Sequence, residues 1–227
     1  MRSARPAARV RIREVRSEAD PGFGGGYRLL RRVFPRAEIL PRREWVDVMR
    51  ERNARVWTDL NWHLLVAEHA RTIVGAASGA YLGNVNVGVI GYVAVERRWR
   101  SHGVGPALRR HLRVAFEGDA RRIRGRPLEA LVGEVKATNP WLRHLVLREG
   151  AIALDFPYYQ PPLAGRGTEV PLVLYYQPLT RPRRAVPAAE VRRLLYTLWR
   201  RPYRVAKPLA RPAFRRMLRA LDGRGYV

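Results

Sequence analysis

The chain has no cysteine and only two lysines, Lys136 and Lys207, among its 227 residues. The first absence excludes disulfides and thiolate metal sites, and leaves the redox compartment open beyond compatibility with the cytosol. Acidic side chains are also scarce: 19 Asp and Glu stand against 44 Lys and Arg, for a formal charge of +25. No apolar run approaches the roughly 20 residues that would cross a bilayer, and the opening MRSARPAARVRIR has no apolar signal core. A cytoplasmic location is the expectation that follows. The five histidines fall without ligand spacing, so no metal site is expected. A hydrophobic share of 47% is ample for a packed core, which excludes a disordered chain. The positive field would attract polyanions, but no nucleic-acid-binding motif accompanies it.

What is present centres on residues 89–117. VIGYVAV, residues 89–95, reads as a buried strand, and Leu108, Leu112, Ala115 and Phe116 fall on one stripe of a following helix. Between them Arg100, Ser101, His102, Gly103, Val104 and Gly105 form a basic, glycine-bearing turn that leads directly into that helix. A helix start has unpaired N–H groups and a partial positive charge, which makes it an anion site. Gly103 and Gly105 let a phosphate approach the backbone, and Arg100 and His102 add donors. A phosphorylated ligand suits this junction; the alternative is a glycine turn that only joins strand to helix. Leu108 stands where a dinucleotide fold needs its third glycine, and no lysine follows either glycine as a P-loop requires.

The string R-x-x-G-x-G between a strand and a helix resembles the acyl-CoA diphosphate loop of the GNAT N-acetyltransferase superfamily. Two further phrases match in order and spacing. One is the hairpin over 62–82, with Val66-Ala-Glu68 and Ile73-Val-Gly75 across its turn; the other is Glu134, Val135, Asn139, Pro140 and Gly150. The remaining pattern supplies a first strand around Val10, Ile12 and Val15, and helices at 27–34 and 42–52. A strand at 128–135, a helix after 137–140 and strands near 156–159 and 170–176 complete it. The resemblance spans about residues 8–178 and implies an α/β (α+β) fold: a mixed, mostly antiparallel sheet of about seven strands with flanking helices.

From Thr180 the composition changes to fourteen basic residues against Glu190 and Asp222. Residues 188–200 and 213–221 read as two basic amphipathic helices, with Val191, Leu194, Leu195 and Leu198 on one stripe and Phe214, Met217, Leu218 and Leu221 on the other. The expected organisation is an acyltransferase domain at 8–178 and a basic helical extension at 179–227. The apolar stripes pack on the domain or on a second subunit of a homodimer, or else bind an anionic membrane surface or nucleic acid.

The resemblance implies acetyl-CoA (coenzyme A) as cofactor and acetyl transfer to the primary amine of a small molecule or a protein. It places Val93 and Val95 along the pantetheine arm, residues 100–105 on the diphosphate, and Asn139 on the arm or a water, unless that residue is a plain helix cap. Glu96 and Glu134 are the candidate bases. Where the family often carries Tyr, seven residues past the Asn, this chain has Val146, and Tyr158 or Tyr159 is the candidate substitute acid. The acceptor should be chosen by residues 23–52 and the connector 161–168. The competing reading is a CoA-binding module without turnover, whose basic tail holds an anionic partner.

Overall fold

In the computed structural model, which describes residues 10–163 and 167–227, strand β1 (Arg11–Val15) leads into helix α1 (Pro21–Val33). The helix starts well before the predicted residue 27, through the sequence PGFGGG, which by propensity is a loop. Asp20 caps it, Oδ1 accepting from the Gly22 amide at 2.7 Å, and Pro21 fills the first turn. The glycines serve contact with the sheet: a Cβ on Gly25 would stand 2.7 Å from Ile73 Cγ1. That close packing offsets a helix penalty of about 1 kcal/mol per glycine.

Helix α2 (Arg42–Asn53) buries Trp45 and Met49, and β2 (Leu60–His69) and β3 (Thr72–Leu82) form the expected hairpin. Strand β4 (Val87–Val95) precedes α3 (Val104–Arg124) and β5 (Ala130–Val135). Then come α4 (Pro140–Glu149), β6 (Ile152–Ala153), β7 (Tyr158–Gln160) and β8 (Val170–Pro178). Helices α5 (Ala188–Arg200) and α6 (Pro212–Arg219) end the chain. The sheet runs β1-β2-β3-β4-β5-β8-β6, with β7 also on β8; β4 and β5 pair parallel and all other pairs are antiparallel. The mixed, mostly antiparallel class stands, with eight strands; β6 is too short to announce itself in a pattern. β5 lies inside the sheet, parallel to β4 on one side and antiparallel to β8 on the other.

One face of the sheet is covered by α3, whose Leu108, Leu112 and Phe116 pack with Leu65, Ala77 and Ile90. The other carries α1 and α2 over Leu64, Val66 and Ala76, and beside them α5 and α6. Val191, Leu194, Leu195, Leu198, Phe214, Met217 and Leu221 share one buried cluster with Val87, Val89, Val132 and Leu174. The apolar stripes of the extension are therefore spent on the chain's own sheet, and a membrane or a second subunit is not what covers them. Among the described residues no helix is long and apolar enough to cross a membrane.

Between β1, β2 and α3 lies an ion cluster that no spacing in the sequence announces. His63 is 4% exposed. Its Nδ1 stands 2.6 Å from Glu14 Oε1 and its Nε2 2.7 Å from Asp119 Oδ2. Ionised carboxylates only accept, so both ring nitrogens donate and the ring is an imidazolium. Burial pushes the imidazole down, but the hydrogen bonds to Asp119 and Glu14 outweigh it and hold the ring above its ordinary value. Burial pushes both acids up, yet His63 and neighbouring arginines hold Glu14 down to about 2 and Asp119 below its usual range. The histidine's contribution is complete below its unfolded value of 6.5 and fades as pH rises through the higher folded value. The acids' contribution is lost as pH falls from the ordinary carboxylate range towards their depressed values. Urea unfolding midpoints measured across pH should therefore decline on both sides of a plateau. His63→Leu should abolish the part of the alkaline decline due to this ring and cost about 3 kcal/mol or more, by leaving two carboxylates short of a cation. An alkaline limb identical in the variant would mean that the ring is neutral.

Candidate active site

β4 and β5 are hydrogen-bonded from Val87 opposite Ala130 to Ile90 opposite Gly133, and there the pairing stops. On its other side β4 bulges at Gly91, which is left over between Ser78 opposite Tyr92 and Gly79 opposite Ile90. Beyond the bulge the two strands part and open a cavity of about 680 Å³. Ile90, Gly91, Tyr92 and Val93 line one wall, and Glu134, Val135 and Lys136 another. Phe34, Trp57 and Trp62 close the side towards α1 and α2, and residues 200–204, from the last residue of α5 onwards, complete it.

Past Val93 and Val95, β4 reaches the basic turn. Gly103 caps α3 with φ 74° and Ser101 has φ 63°, so the backbone folds back on itself here and α3 begins at Val104. Among the described residues, no amide from Ser101 to Gly105 donates to another protein group, and Ser101, His102 and Gly103 are exposed. Arg100 Nε donates to the Val95 carbonyl at 3.3 Å, which ties the turn to the strand end. His102 Nδ1 donates to the Arg100 carbonyl at 2.7 Å, leaving Nε2 as the nitrogen for a ligand. Exposed, unpaired amides at a helix start beside an arginine are the groups that a diphosphate requires.

Glu134 stands in the cavity wall at the end of β5, facing the α5 side of the sheet. It accepts hydrogen bonds from the hydroxyls of Tyr158 on β7 and Tyr203 after α5. Burial pushes its carboxyl above the ordinary range; the two hydroxyls pull it back only in part. Burial and the charge of Glu134 push both tyrosines well above their ordinary value, so each keeps its proton at neutral pH. A carboxylate of raised basicity, held by neutral donors in a cavity wall, is suited to take a proton from a bound ammonium.

The other sequence candidates are dispersed. Glu96, past the end of β4, is paired with Arg32 of α1 and does not line the cavity. Tyr159 points away from Glu134, its ring under the Arg216 guanidinium at 4.7 Å. Asn139 caps α4, Oδ1 accepting from the Trp141 amide at 3.0 Å, while lining the cavity. From the expected acceptor region residues 33–35, Glu38, Leu40, Val48 and Glu51 also line it, whereas residues 164–166 of the connector lie outside the described residues. Sequence reasoning missed Tyr203, 69 residues from its partner Glu134, and the aromatic wall of Trp57 and Trp62. No local pattern could have linked them to the site.

The model of the Acetyltransferase (GNAT) family matches residues 27–126. Among solved structures, a protein assigned to the GNAT acetyltransferase family from Bacteroides thetaiotaomicron aligns with a TM-score of 0.62 at 17% identity, covering 86% of this chain and 99% of that one. Ard1 from Thermoplasma volcanium aligns at 0.54 and 17% identity, covering 76% and 99%. The ribosomal-protein-S18-alanine N-acetyltransferase of Escherichia coli aligns at 0.52 and 18% identity, covering 76% and 96%. At such identities these likenesses bear on the fold. No curated protein matches the sequence.

Proposed function

Starting from a chain whose residues 27–126 match the GNAT acetyltransferase family and whose sheet has that fold, we propose an acetyl-CoA-dependent N-acetyltransferase acting on a primary amine. One observation carries the reading. Strand β4 joins two features: Val93 lines the cavity in whose wall the Glu134 carboxylate stands, and two residues further on the Val95 carbonyl anchors Arg100 of the turn whose helix-start amides are unpaired.

Acetyl-CoA supplies an activated acyl thioester. The amides of residues 101–105 and the Arg100 guanidinium bind its diphosphate, and the edge of β4 beyond Ile90, which has no partner strand there, aligns the arm. An alkylamine has a pKa of about 10.4 and arrives charged, so it must lose a proton before its nitrogen can attack. Glu134 takes that proton, directly or through water, and Tyr158 and Tyr203 fix the carboxylate for the purpose. A thiolate of pKa about 8.5, by analogy with cysteine, leaves without much help. No general acid is therefore assigned, and Tyr159 has no part in the mechanism.

The test is release of free thiol from acetyl-CoA across a panel of amines, followed as kcat against pH. Activity requires ionised Glu134, so kcat should fall as pH drops through its raised value, above the ordinary 4.5. The Tyr203 hydroxyl lowers that value, so Tyr203→Phe should move the acid limb to higher pH. A limb unmoved by this substitution removes Glu134 from the role of base. Absence of thiol release with every amine ends the enzyme reading.

A further inference from the structure

We propose that the acceptor is an amine on a flat, uncharged apolar body, of the arylalkylamine class, and that the C-terminal extension builds its site. This deepens the acyltransferase reading and rests on it.

The acceptor side of the cavity is aromatic. Trp62 and Tyr92 flank Trp45, with ring centroids 5.4 and 5.7 Å from it, and Phe34 stands edge-on to Tyr92 at 5.2 Å. Trp57 lies at the rim, 40% exposed, with the Arg201 guanidinium 4.4 Å over its ring. Tyr203 completes the circle from the extension. Phe34, Trp62 and Tyr92 are held by ring contacts that run through Trp45 behind them, Trp57 by Glu51 and Arg201, and Tyr203 by Glu134, so the slot is formed before any ligand enters.

The charges on this wall select against other amines. Glu51 accepts from Arg204 at 2.8 Å and from Trp57 Nε1 at 3.0 Å. Arg201 donates to Asp59 at 3.1 Å, and Lys136 meets Glu38 at 2.7 Å. Among the described residues, Glu134 is the one carboxylate of the lining whose hydrogen-bond partners are all neutral, so the site offers an anion to one ammonium. A polyamine would place its further cations against Arg200, Arg201 and Arg204 with no free carboxylate to receive them. An amino sugar would leave its hydroxyls unpaired against indole and phenol faces. A cavity of about 680 Å³, shared with the donor's arm, leaves space of small-molecule size.

Two of the groups that shape this slot, Tyr203 and Arg201, come from the segment after α5, and Arg204 of the same segment ties it to α2 through Glu51. The extension is therefore part of the specificity machinery as well as of the core.

The experiment uses the full chain with acetyl-CoA and measures kcat/KM by thiol release. The amines are 2-phenylethylamine, tryptamine, spermidine, glucosamine and a short peptide with a free N-terminus. The arylalkylamines should exceed the others by about 100-fold, as burial of a ring in a fitted apolar slot implies. Trp57→Ala should raise KM for tryptamine by about 10-fold, with the acetyl-CoA dissociation constant unchanged as a check on folding. Spermidine, glucosamine or the peptide matching or exceeding the arylalkylamines would overturn the proposal and leave the acyltransferase reading intact. So would a KM for tryptamine indifferent to Trp57→Ala, or acetyl-CoA binding without turnover of either arylalkylamine. Failure to bind acetyl-CoA at all would remove the underlying reading as well.

Discussion

Glu134→Gln should lower kcat by about 10²- to 10⁴-fold and leave the acetyl-CoA dissociation constant where it was. The substitution keeps the shape of the side chain and its carbonyl oxygen, which can still accept from Tyr158 or Tyr203. What it removes is the capacity to take a proton from an ammonium. The effect should therefore appear in kcat, with little change in melting temperature. Glu96→Gln provides the contrast: that carboxylate is engaged by Arg32 and lies outside the cavity, so its loss should change kcat by less than about 3-fold. If the two variants behave in the opposite way, the base lies at the end of β4, and the raised pKa of Glu134 reflects burial with no catalytic consequence.

The second large effect belongs to the turn before α3. Acetyl-CoA at about 100 times its dissociation constant should stabilise the protein by about 2.7 kcal/mol, a rise in Tm of about 5–10 °C for a chain of this size. Gly103→Glu should remove nearly all of that rise. A Cβ at this position meets no protein atom within 4 Å, so the new side chain does not disrupt packing. It brings a carboxylate to the amides that would hold the diphosphate, and a backbone strain of about 1–2 kcal/mol from the positive φ. Gly103→Asn separates the two contributions, because asparagine tolerates the left-handed region and carries no charge. The asparagine variant should retain most of the ligand-induced shift. A shift of full size in the glutamate variant would place the diphosphate elsewhere and withdraw the role given to residues 101–105.

The extension shows how far tertiary packing extends the meaning of a local pattern. Its amphipathic stripes are plain in the sequence, and helical periodicity alone leaves a sheet, a second subunit, a membrane surface and a polyanion open as partners. The shared cluster with Val87, Val132 and Leu174 decides among these, and it brings residues 200–204 to the cavity as a consequence. The polar outer faces of α5 and α6 remain in water, where arginines such as Arg193 and Arg219 carry the positive charge that the sequence advertises.

The parts of this protein legible from sequence alone are those set by neighbours along the chain. The β2–β3 hairpin, the helix start after Gly103, the Asn139 cap and the apolar run of β4 each depend on a few consecutive residues. Their turn chemistry and periodicity carry the family resemblance and single out the basic turn before α3 as the place proposed for a diphosphate. Propensity failed at PGFGGG, where the stabilising contact is Ile73 on a distant strand. The choice of Glu134 over Glu96, and of Tyr158 over Tyr159, belongs to the tertiary structure. Adjacent strand residues point to opposite faces, so a one-residue difference sends Tyr158 to the carboxylate and Tyr159 to Arg216. The basicity of Glu134 comes from its burial, against the opposing pull of the Tyr158 and Tyr203 hydroxyls, and the imidazolium of His63 from Glu14 and Asp119. Desolvation and pairing are properties of the space around a group, and chain-distant residues fill that space only once the sheet has formed.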